Sequence, residues 1–335
     1  MPDPNAALIL HLQRLSTEDG PGIRTTIFFK GCPLHCWWCH NPESIAPFPQ
    51  VHWVENRCIG CDICLSACPN GALSRLPGGP INIDRDICQG CGVCASECPA
   101  NAMELLGERV TLDDLTEELF KDHAFFKTSG GGVTASGGEP TLQAAFISKL
   151  FAKLQSHSIH TALDTCGACS LRALQEILPH TNLVLFDLKL MDSEGHRRTT
   201  GQDNQRILEN LLAVAALIRS SESQTRLWIR TPLIPGITNT APNLREISVF
   251  LSDELDGVVD RWELCAFNNL CRDKYRRLGM TWRFDTAPLM TQPELDECET
   301  YAKAGAFDPT KIWVTGAVKA ENNPEIAFRK EINDP

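Results

Sequence analysis

Apolar positions along this chain switch between a period of two and a period of about 3.6, and the switches set out its elements. Residues 16–22 (STEDGPG) are turn chemistry, and the β-branched and aromatic run 23–29 that follows reads as a buried strand. The segment 111–123 reads as a helix, with Thr111 as cap, early acids, and Leu112, Leu115, Leu119 and Phe120 on one stripe. Gly130, Gly131 and Gly132 form a flexible loop before a short strand at 133–136. Gly137-Gly138-Glu139-Pro140 then leads into a helix whose apolar face carries Leu142, Phe146, Leu150 and Leu154. The alternation continues with a strand at 160–163, a helix from about Leu171, a strand at 183–186 and a helix over 207–218. A strand at 226–230 runs into TPLIPG (231–236), where Pro-Gly signals a type II turn; a helix at 244–251 and a sixth strand at 261–265 follow. Strands alternating with helices predict an α/β fold with a parallel sheet and right-handed crossovers. Six such units predict an incomplete (β/α)6 barrel, open at its side to a macromolecular substrate.

Residues 56–106 interrupt this pattern. Cys58, Cys61, Cys64 and Cys68-Pro69 form C-x2-C-x2-C-x3-C-P, and Cys88, Cys91, Cys94 and Cys98-Pro99 repeat it 30 residues later. This is the spacing of bacterial two-cluster ferredoxins, where the fourth Cys of each run binds the other cluster. It predicts one 4Fe–4S cube on Cys58, Cys61, Cys64 and Cys98, and a second on Cys88, Cys91, Cys94 and Cys68. Zinc ribbons use paired CxxC units rather than a triplet followed by Cys-Pro. The chain is therefore read as 1–55, the first part of the barrel; 56–106, an inserted α+β ferredoxin-like domain; and 107–335, the rest of the barrel with a C-terminal extension.

Composition narrows the function. The 335 residues carry a net charge of −11 and no long basic run, which argues against a nucleic-acid partner. The longest apolar run, 211–218, is far short of the roughly 20 residues that span a bilayer, and MPDPNAALIL lacks the basic start of a signal peptide. No membrane association and a cytoplasmic location are expected. Sixteen cysteines, clustered in a long chain without an export signal, suit metal clusters in a reducing compartment better than disulfides.

The candidate chemistry starts in KGCPLHCWWCHN (30–41), where Cys32, Cys36 and Cys39 form C-x3-C-x2-C at the end of the first predicted strand. Three thiolates leave one position of a four-ligand site open, and an open iron can bind a substrate or cofactor. The bland alternative is a zinc knuckle completed by His35, His40 or a distant residue. At the next strand end, the glycines of GGE let backbone approach a ligand, and Glu139 offers a cationic amine a partner; alone, GGE is equally a tight turn. Asp164-Thr165 and Asp187-Leu188-Lys189 end adjacent strands and point to the same mouth, although a lone Asp there is usually a cap or turn former.

Together these residues resemble the radical S-adenosylmethionine (SAM) superfamily. Within it, DGPGIRTTIFFKGCPLHCWWCHNPES, the two-cluster insert, TSGGGVTASGGEP, DTCG, FDLKLMD, RTPLIPGIT and KYRRLG are similar over nearly the whole chain to the activating enzymes of glycyl radical enzymes, of the pyruvate formate-lyase activating type. The resemblance implies a third 4Fe–4S cluster on Cys32, Cys36 and Cys39, whose free iron is chelated by the amino and carboxylate groups of SAM. An electron from it would cleave SAM to methionine and a 5′-deoxyadenosyl radical, which abstracts hydrogen from one backbone glycine of a partner enzyme. It implies SAM contacts from Gly137, Gly138 and Glu139, from Asp187 and Lys189 of the DxK motif, and from Arg230. It also implies a monovalent cation held by Asp164 and Asp187 with backbone carbonyls of Thr165 and Leu185, and reduced ferredoxin or flavodoxin as electron donor. No catalytic acid or base is expected, because the cofactor carries the chemistry of this oxidoreductase. One departure stands out: Asn268 occupies the place of a His in relatives, and its amide can still hydrogen-bond.

Cys166, Cys169, Cys265, Cys271 and Cys298 read as small apolar side chains, with a further redox pair as the alternative. His35 and His40 either tune the cluster loop or lie exposed; Trp37 and Trp38 either shield it or pack. Two other functions fit parts of the pattern: a radical SAM enzyme acting on a small molecule or another peptide, and an electron-transfer protein built around the insert. The insert clusters would relay electrons or form a docking face, and the clusters predict oxygen sensitivity and an anaerobic setting.

Overall fold

The structure, a computed structural model, describes residues 4–220 and 224–319 and the backbone of 327–328, so most of the C-terminal extension lies outside the described residues. It opens with β1 (Ala6–Ser16), which the sequence pattern does not predict because Leu8, Leu12 and Leu15 also fit helical spacing. β2 (Arg24–Phe29) follows, buried at every position. The insert begins ahead of residue 56, the expected boundary, because β3 (Gln50–Trp53) belongs to it, followed by α1 (Ile63–Ala67), β4 (Leu73–Arg75), β5 (Ile81–Ile83), α2 (Val93–Ser96) and β6 (Met103–Leu106). β3 pairs antiparallel with β6 and β4 with β5, so each half of the repeat completes the other. Asp62 and Gly92, 30 residues apart, both take left-handed φ (58° and 79°) as N-caps of α1 and α2. The insert core is built from such matched pairs: Val51 with Ile81, Cys64 with Cys94, Leu73 with Met103.

β7 (Glu108–Thr111) returns the chain to β1, and α3 (Leu112–Phe120) starts where the Thr111 side chain accepts from Asp114 N–H. A separate helix, α4 (His123–Ser129), then fills the expected approach to the glycine loop. The remaining units are β8 (Gly132–Gly137), α5 (Ala144–Ser156), β9 (His160–Thr165), α6 (Leu171–Ile177), β10 (Leu183–Asp187), α7 (Ser193–Thr200), α8 (Gln205–Ser220), β11 (Arg226–Leu233), α9 (Ala241–Leu255), β12 (Val259–Ala266), α10 (Arg272–Arg277), α11 (Gln292–Lys303) and β13 (Ile312–Thr315). The nine-stranded sheet has the order β13-β12-β11-β10-β9-β8-β2-β1-β7. From β2 to β13 all neighbours are parallel, which contains the six expected strands and adds β13; β1 and β7 are antiparallel at the far edge. No helix among the described residues is long and apolar enough to cross a membrane.

Two local expectations are corrected. Leu142 belongs to a 3-10 turn, Pro140–Gln143, ahead of α5; it is 42% exposed rather than on the helix's core face. β11 continues through Pro232 where a loop is expected. Arg230 C=O accepts from Leu188 N–H on the β10 side, so Pro232, two residues on, turns its nitrogen to that side after β10 has ended, where the missing N–H costs no ladder bond.

The helices bury Leu150, Leu154, Leu211 and Leu244 on the outside of the sheet, while Ala162, Leu183, Leu185 and Trp228 form an apolar floor within. At the start of β9, His160 Nδ1 lies 3.4 Å from the guanidinium of Arg24, which is fully buried and donates to Thr134 Oγ1 and Val133 C=O. Burial, then the Arg24 charge, lower His160 to about 4. Below its ordinary value of 6.5 the unfolded chain therefore binds a proton that the native state refuses, and stability is lost as pH falls from 6.5 toward 4. Between about pH 7.5 and about pH 5.5 the loss is expected to be about 1 kcal/mol. Thermal unfolding should show a smaller fall in Tm over this range for His160→Gln than for the wild type.

Candidate functional site

The three-Cys loop leaves β2 and is closed by its own backbone: Gly31 N–H donates to Ser44 C=O (2.7 Å), Cys32 N–H to Ile45 C=O (3.0 Å) and Cys39 N–H to Cys36 C=O (3.1 Å). Distant segments clamp both flanks. On one side, His35 N–H donates to Thr200 C=O and Trp37 N–H to Thr199 C=O. On the other, Tyr275 O–H donates to Cys39 C=O (2.9 Å), Trp282 Nε1–H to Trp37 C=O (3.1 Å) and His40 Nε2–H to Asn268 C=O (3.1 Å). Lys274 reaches Asn41 Oδ1 (2.8 Å) and the Glu43 carboxylate (2.7 Å). Trp38 is buried; Trp37 is half-buried, with the Arg283 guanidinium 3.6 Å from its ring centre. Trp38 and His40 also face the space onto which the loop's cysteines open, while His35 makes its contact through backbone.

Cys32, Cys36 and Cys39 open onto a cavity of about 640 Å³, and Gly137, Gly138, Asp164, Thr165, Asp187, Lys189, Arg230 and Asn268 line the same space. Burial pushes the Cys36 thiol up to about 12 and raises Cys39 too. Thiolates in so dry a setting need positive charge among them, which is what an iron cluster brings. Asp164 accepts from Ser136 O–H (2.6 Å) and stands 3.6 Å from Arg230; burial pushes it up to about 7 against the pull of that guanidinium. Lys189 pairs with Asp187, which, with the neighbouring thiols, holds the ammonium above its ordinary value despite burial. Arg230 also approaches Glu263 at 3.3 Å. The wall thus presents both signs of charge to one ligand. Asn268 Oδ1 accepts from Leu270 N–H, so its amide N–H groups are what it can offer.

Two predicted residues do not turn their side chains into the cavity. Glu139 is fully buried beneath the wall, and its carboxylate accepts from Thr141 N–H (3.1 Å) and O–H (2.6 Å), Thr165 O–H (2.8 Å) and Cys166 N–H (2.8 Å). Leu185 sits in register with Asp164, and its side chain is part of the apolar floor. The glycines of GGE serve close packing as well as the cavity: a Cβ on Gly138 would meet Gly31 C=O at 2.2 Å, and one on Gly137, with φ +111°, Phe29 N at 2.4 Å.

Three of the five leftover cysteines, Cys166, Cys265 and Cys271, also line the cavity, together with Cys32. The signal was period two: Cys166 follows Asp164 by two positions and so shares its side of β9. The STEDGPG turn likewise carries Glu18 and Asp19 into the wall. Cys169 and Cys298 are buried away from it.

In the insert, one small cavity is lined by Cys58, Cys61, Cys64 and Cys98 and another by Cys68, Cys88, Cys91 and Cys94. Ala72 N–H donates to the Cys68 sulfur (3.3 Å) and Ala102 N–H to that of Cys98 (3.2 Å). All sixteen cysteines are free thiols. Among the described residues no three His, Cys, Asp or Glu side chains are grouped to hold a single ion. Each quartet instead surrounds a space, the arrangement for a cube whose four irons each take one thiolate.

Known proteins carry the same two parts. Residues 57–102 match the family model for a 4Fe-4S dicluster domain, and residues 82–243 that for the radical SAM superfamily. The chain is 37% identical to the trans-4-hydroxy-L-proline dehydratase activating enzyme of Clostridioides difficile, over 91% of this chain and 98% of that one. It is 36% identical to the (2S)-3-sulfopropanediol dehydratase activating enzyme of Klebsiella oxytoca (82% and 86%), and 38% identical to the isethionate sulfite-lyase activating enzyme of Nitratidesulfovibrio vulgaris (81% and 87%). The fold and the site define a radical SAM enzyme. With relatives this similar across nearly their whole length, the chain belongs to the activating enzymes of glycyl radical enzymes, and its cofactors are SAM and iron–sulfur clusters.

Proposed function

We propose that Cys32, Cys36 and Cys39 hold a 4Fe–4S cluster with one iron open to SAM, and that the two insert quartets hold two further cubes, three in all. The observation that carries this is the cavity onto which the three-Cys loop and the ends of six neighbouring parallel strands, β8 to β13, all open. SAM brings an ammonium, a carboxylate and a sulfonium, and the wall offers Lys189 and Arg230 beside Asp164 and Asp187. Glu139 acts from below, holding the Gly137-Gly138 turn, Thr165 and Cys166 in place, so that the amino group meets backbone at that turn. Asn268 contributes amide N–H groups where relatives use a His. A monovalent cation beside SAM would draw on Asp164, Thr165 and Asp187, with Leu185 contributing its carbonyl from within β10.

When bound, the open cluster and SAM supply the electron and the 5′-deoxyadenosyl radical that takes hydrogen from a backbone glycine of the partner. The chain's own residues position the cofactor, balance its charges and exclude water. The partner is a glycyl radical enzyme, the donor a reduced ferredoxin or flavodoxin, and the setting the anaerobic cytoplasm.

The test is iron and sulfide analysis of anaerobically reconstituted protein, with chromatography for 5′-deoxyadenosine after adding SAM and dithionite. About twelve irons with SAM cleavage, and a glycyl radical signal once a partner is added, are expected. About eight irons without cleavage would leave only the insert loaded and overturn the proposal.

A further inference from the structure

The insert is an internal repeat, so each residue of one half has a control 30 positions away in the other. Most pairs match: Ala72 and Ala102 each donate N–H to the sulfur four residues earlier, Cys68 and Cys98. The match breaks at Arg75. Its Nη2 lies 3.0 Å from the Cys58 sulfur and its Nη1 2.7 Å from Asp62 Oδ1, with the side chain only 11% exposed. In the other half, Leu105 stands for Arg75 and Gly92 for Asp62; a Cβ on Gly92 would meet Leu105 Cδ2 at 3.0 Å, so an apolar contact replaces the ion pair. A second donor follows the same asymmetry. The indole N–H of Trp53 is buried without a hydrogen-bond partner, and Trp53 lines the same small cavity as Cys58; its counterpart is Ile83. Among the described residues no side chain donates to the Cys88 sulfur, the counterpart of Cys58. Arg85, three residues before Cys88, sends its N–H groups instead to Val51 C=O (2.5 Å) and Leu278 C=O (3.5 Å).

Hydrogen bonds to the sulfurs of a cluster stabilise its more negative, reduced state and raise its potential. We propose that Arg75 makes the two insert cubes unequal, setting the one on Cys58, Cys61, Cys64 and Cys98 at the higher potential, so that it captures the first electron from a low-potential one-electron donor. This rests on the reading that the insert holds two cubes. Each cube takes one electron, passing from its oxidised to its reduced state, and no proton moves. Arg75 is a tuning residue that acts through the Cys58 sulfur.

The experiment is a potentiometric titration of the full-length reconstituted protein followed by electron paramagnetic resonance, after iron analysis has established that all clusters are loaded. The SAM-binding cluster is set apart by its spectral change on adding SAM. The insert should titrate in two separate one-electron steps. Arg75→Gln should move the higher step to more negative potential and leave the lower in place; Arg75→Lys, which keeps the charge without the fork, should move it less. Arg57→Gln, which removes a half-exposed guanidinium paired with Glu104, should move neither step. Should Arg75→Gln fail to load, Trp53→Phe carries the same prediction for the same step. Coincident insert steps in fully loaded wild type, unmoved steps in the variants, or a shift confined to the lower step would overturn the inference. An iron content short of two insert cubes in the wild type would instead sink the reading beneath it.

Discussion

Cys36→Ala is expected to reduce SAM cleavage to background while leaving the insert loaded, so that iron falls from about twelve to about eight per chain. Cys36 sits in the middle of the C-x3-C-x2-C array, and two thiols cannot hold a cube that already has one iron without a protein ligand. The loop itself should survive. It is fixed by backbone bonds at Gly31, Cys32, His35 and Trp37 and by the Tyr275 and Trp282 side chains, none of which uses the Cys36 sulfur. The stability of the cluster-free protein should therefore change by no more than about 1 kcal/mol, the scale of one small buried group. Cys166→Ala is the control that gives the result its meaning. It lines the same cavity as Cys32 yet lies outside the array, so its loss should leave the iron count at about twelve. If Cys166→Ala loses four irons and Cys36→Ala does not, the ligands have been misassigned.

What the sequence revealed of this site followed spacing, and what it concealed depended on distance. The insert quartets could be read from a repeat of 30 residues, because a cube demands its thiolates at short fixed intervals and the fold crosses over at each Cys-Pro. Strands β2 and β10 were legible because burial on both faces leaves a continuous apolar run. β1 was not, since its leucines satisfy two periods at once, and neither was α7, whose sequence SEGHRRTT has no apolar stripe. The clamp on the cluster loop was hidden for another reason: Lys274, Tyr275 and Trp282 reach residues more than 200 positions earlier, and no local pattern encodes such a contact. The place of Cys166 and Cys265 on the cavity wall was not read from the sequence, because cysteine reads as a small apolar residue there, although Cys166 follows Asp164 by the two-residue offset that keeps it on the same side of the chain. Glu139 differs in its geometry. The sequence suggests a carboxylate for the ligand, and the structure turns it inward.

That inward turn gives the second large effect. Glu139→Gln is expected to lower the stability of the SAM-free protein by about 2 kcal/mol and to weaken SAM binding about tenfold, with the iron content unchanged. The carboxylate is fully buried, with Oε1 accepting from Thr141 and Thr165 and Oε2 from Cys166 N–H. An amide keeps one acceptor oxygen. The threonine hydroxyls can rotate to accept from its N–H groups, but Thr141 N–H and Cys166 N–H cannot, and one of them loses its partner at a position closed to the surface. An unmatched buried donor costs about 1–3 kcal/mol. The same bonds tie the GGE turn to the end of β9, so loosening them shifts both walls against which SAM would lie. Thermal unfolding without SAM separates this from a direct contact. A carboxylate that served only to bind the SAM amino group would leave the free protein's Tm unmoved while binding collapsed. A brace lowers Tm by several degrees before any SAM is added, and weakens binding only as far as the wall moves.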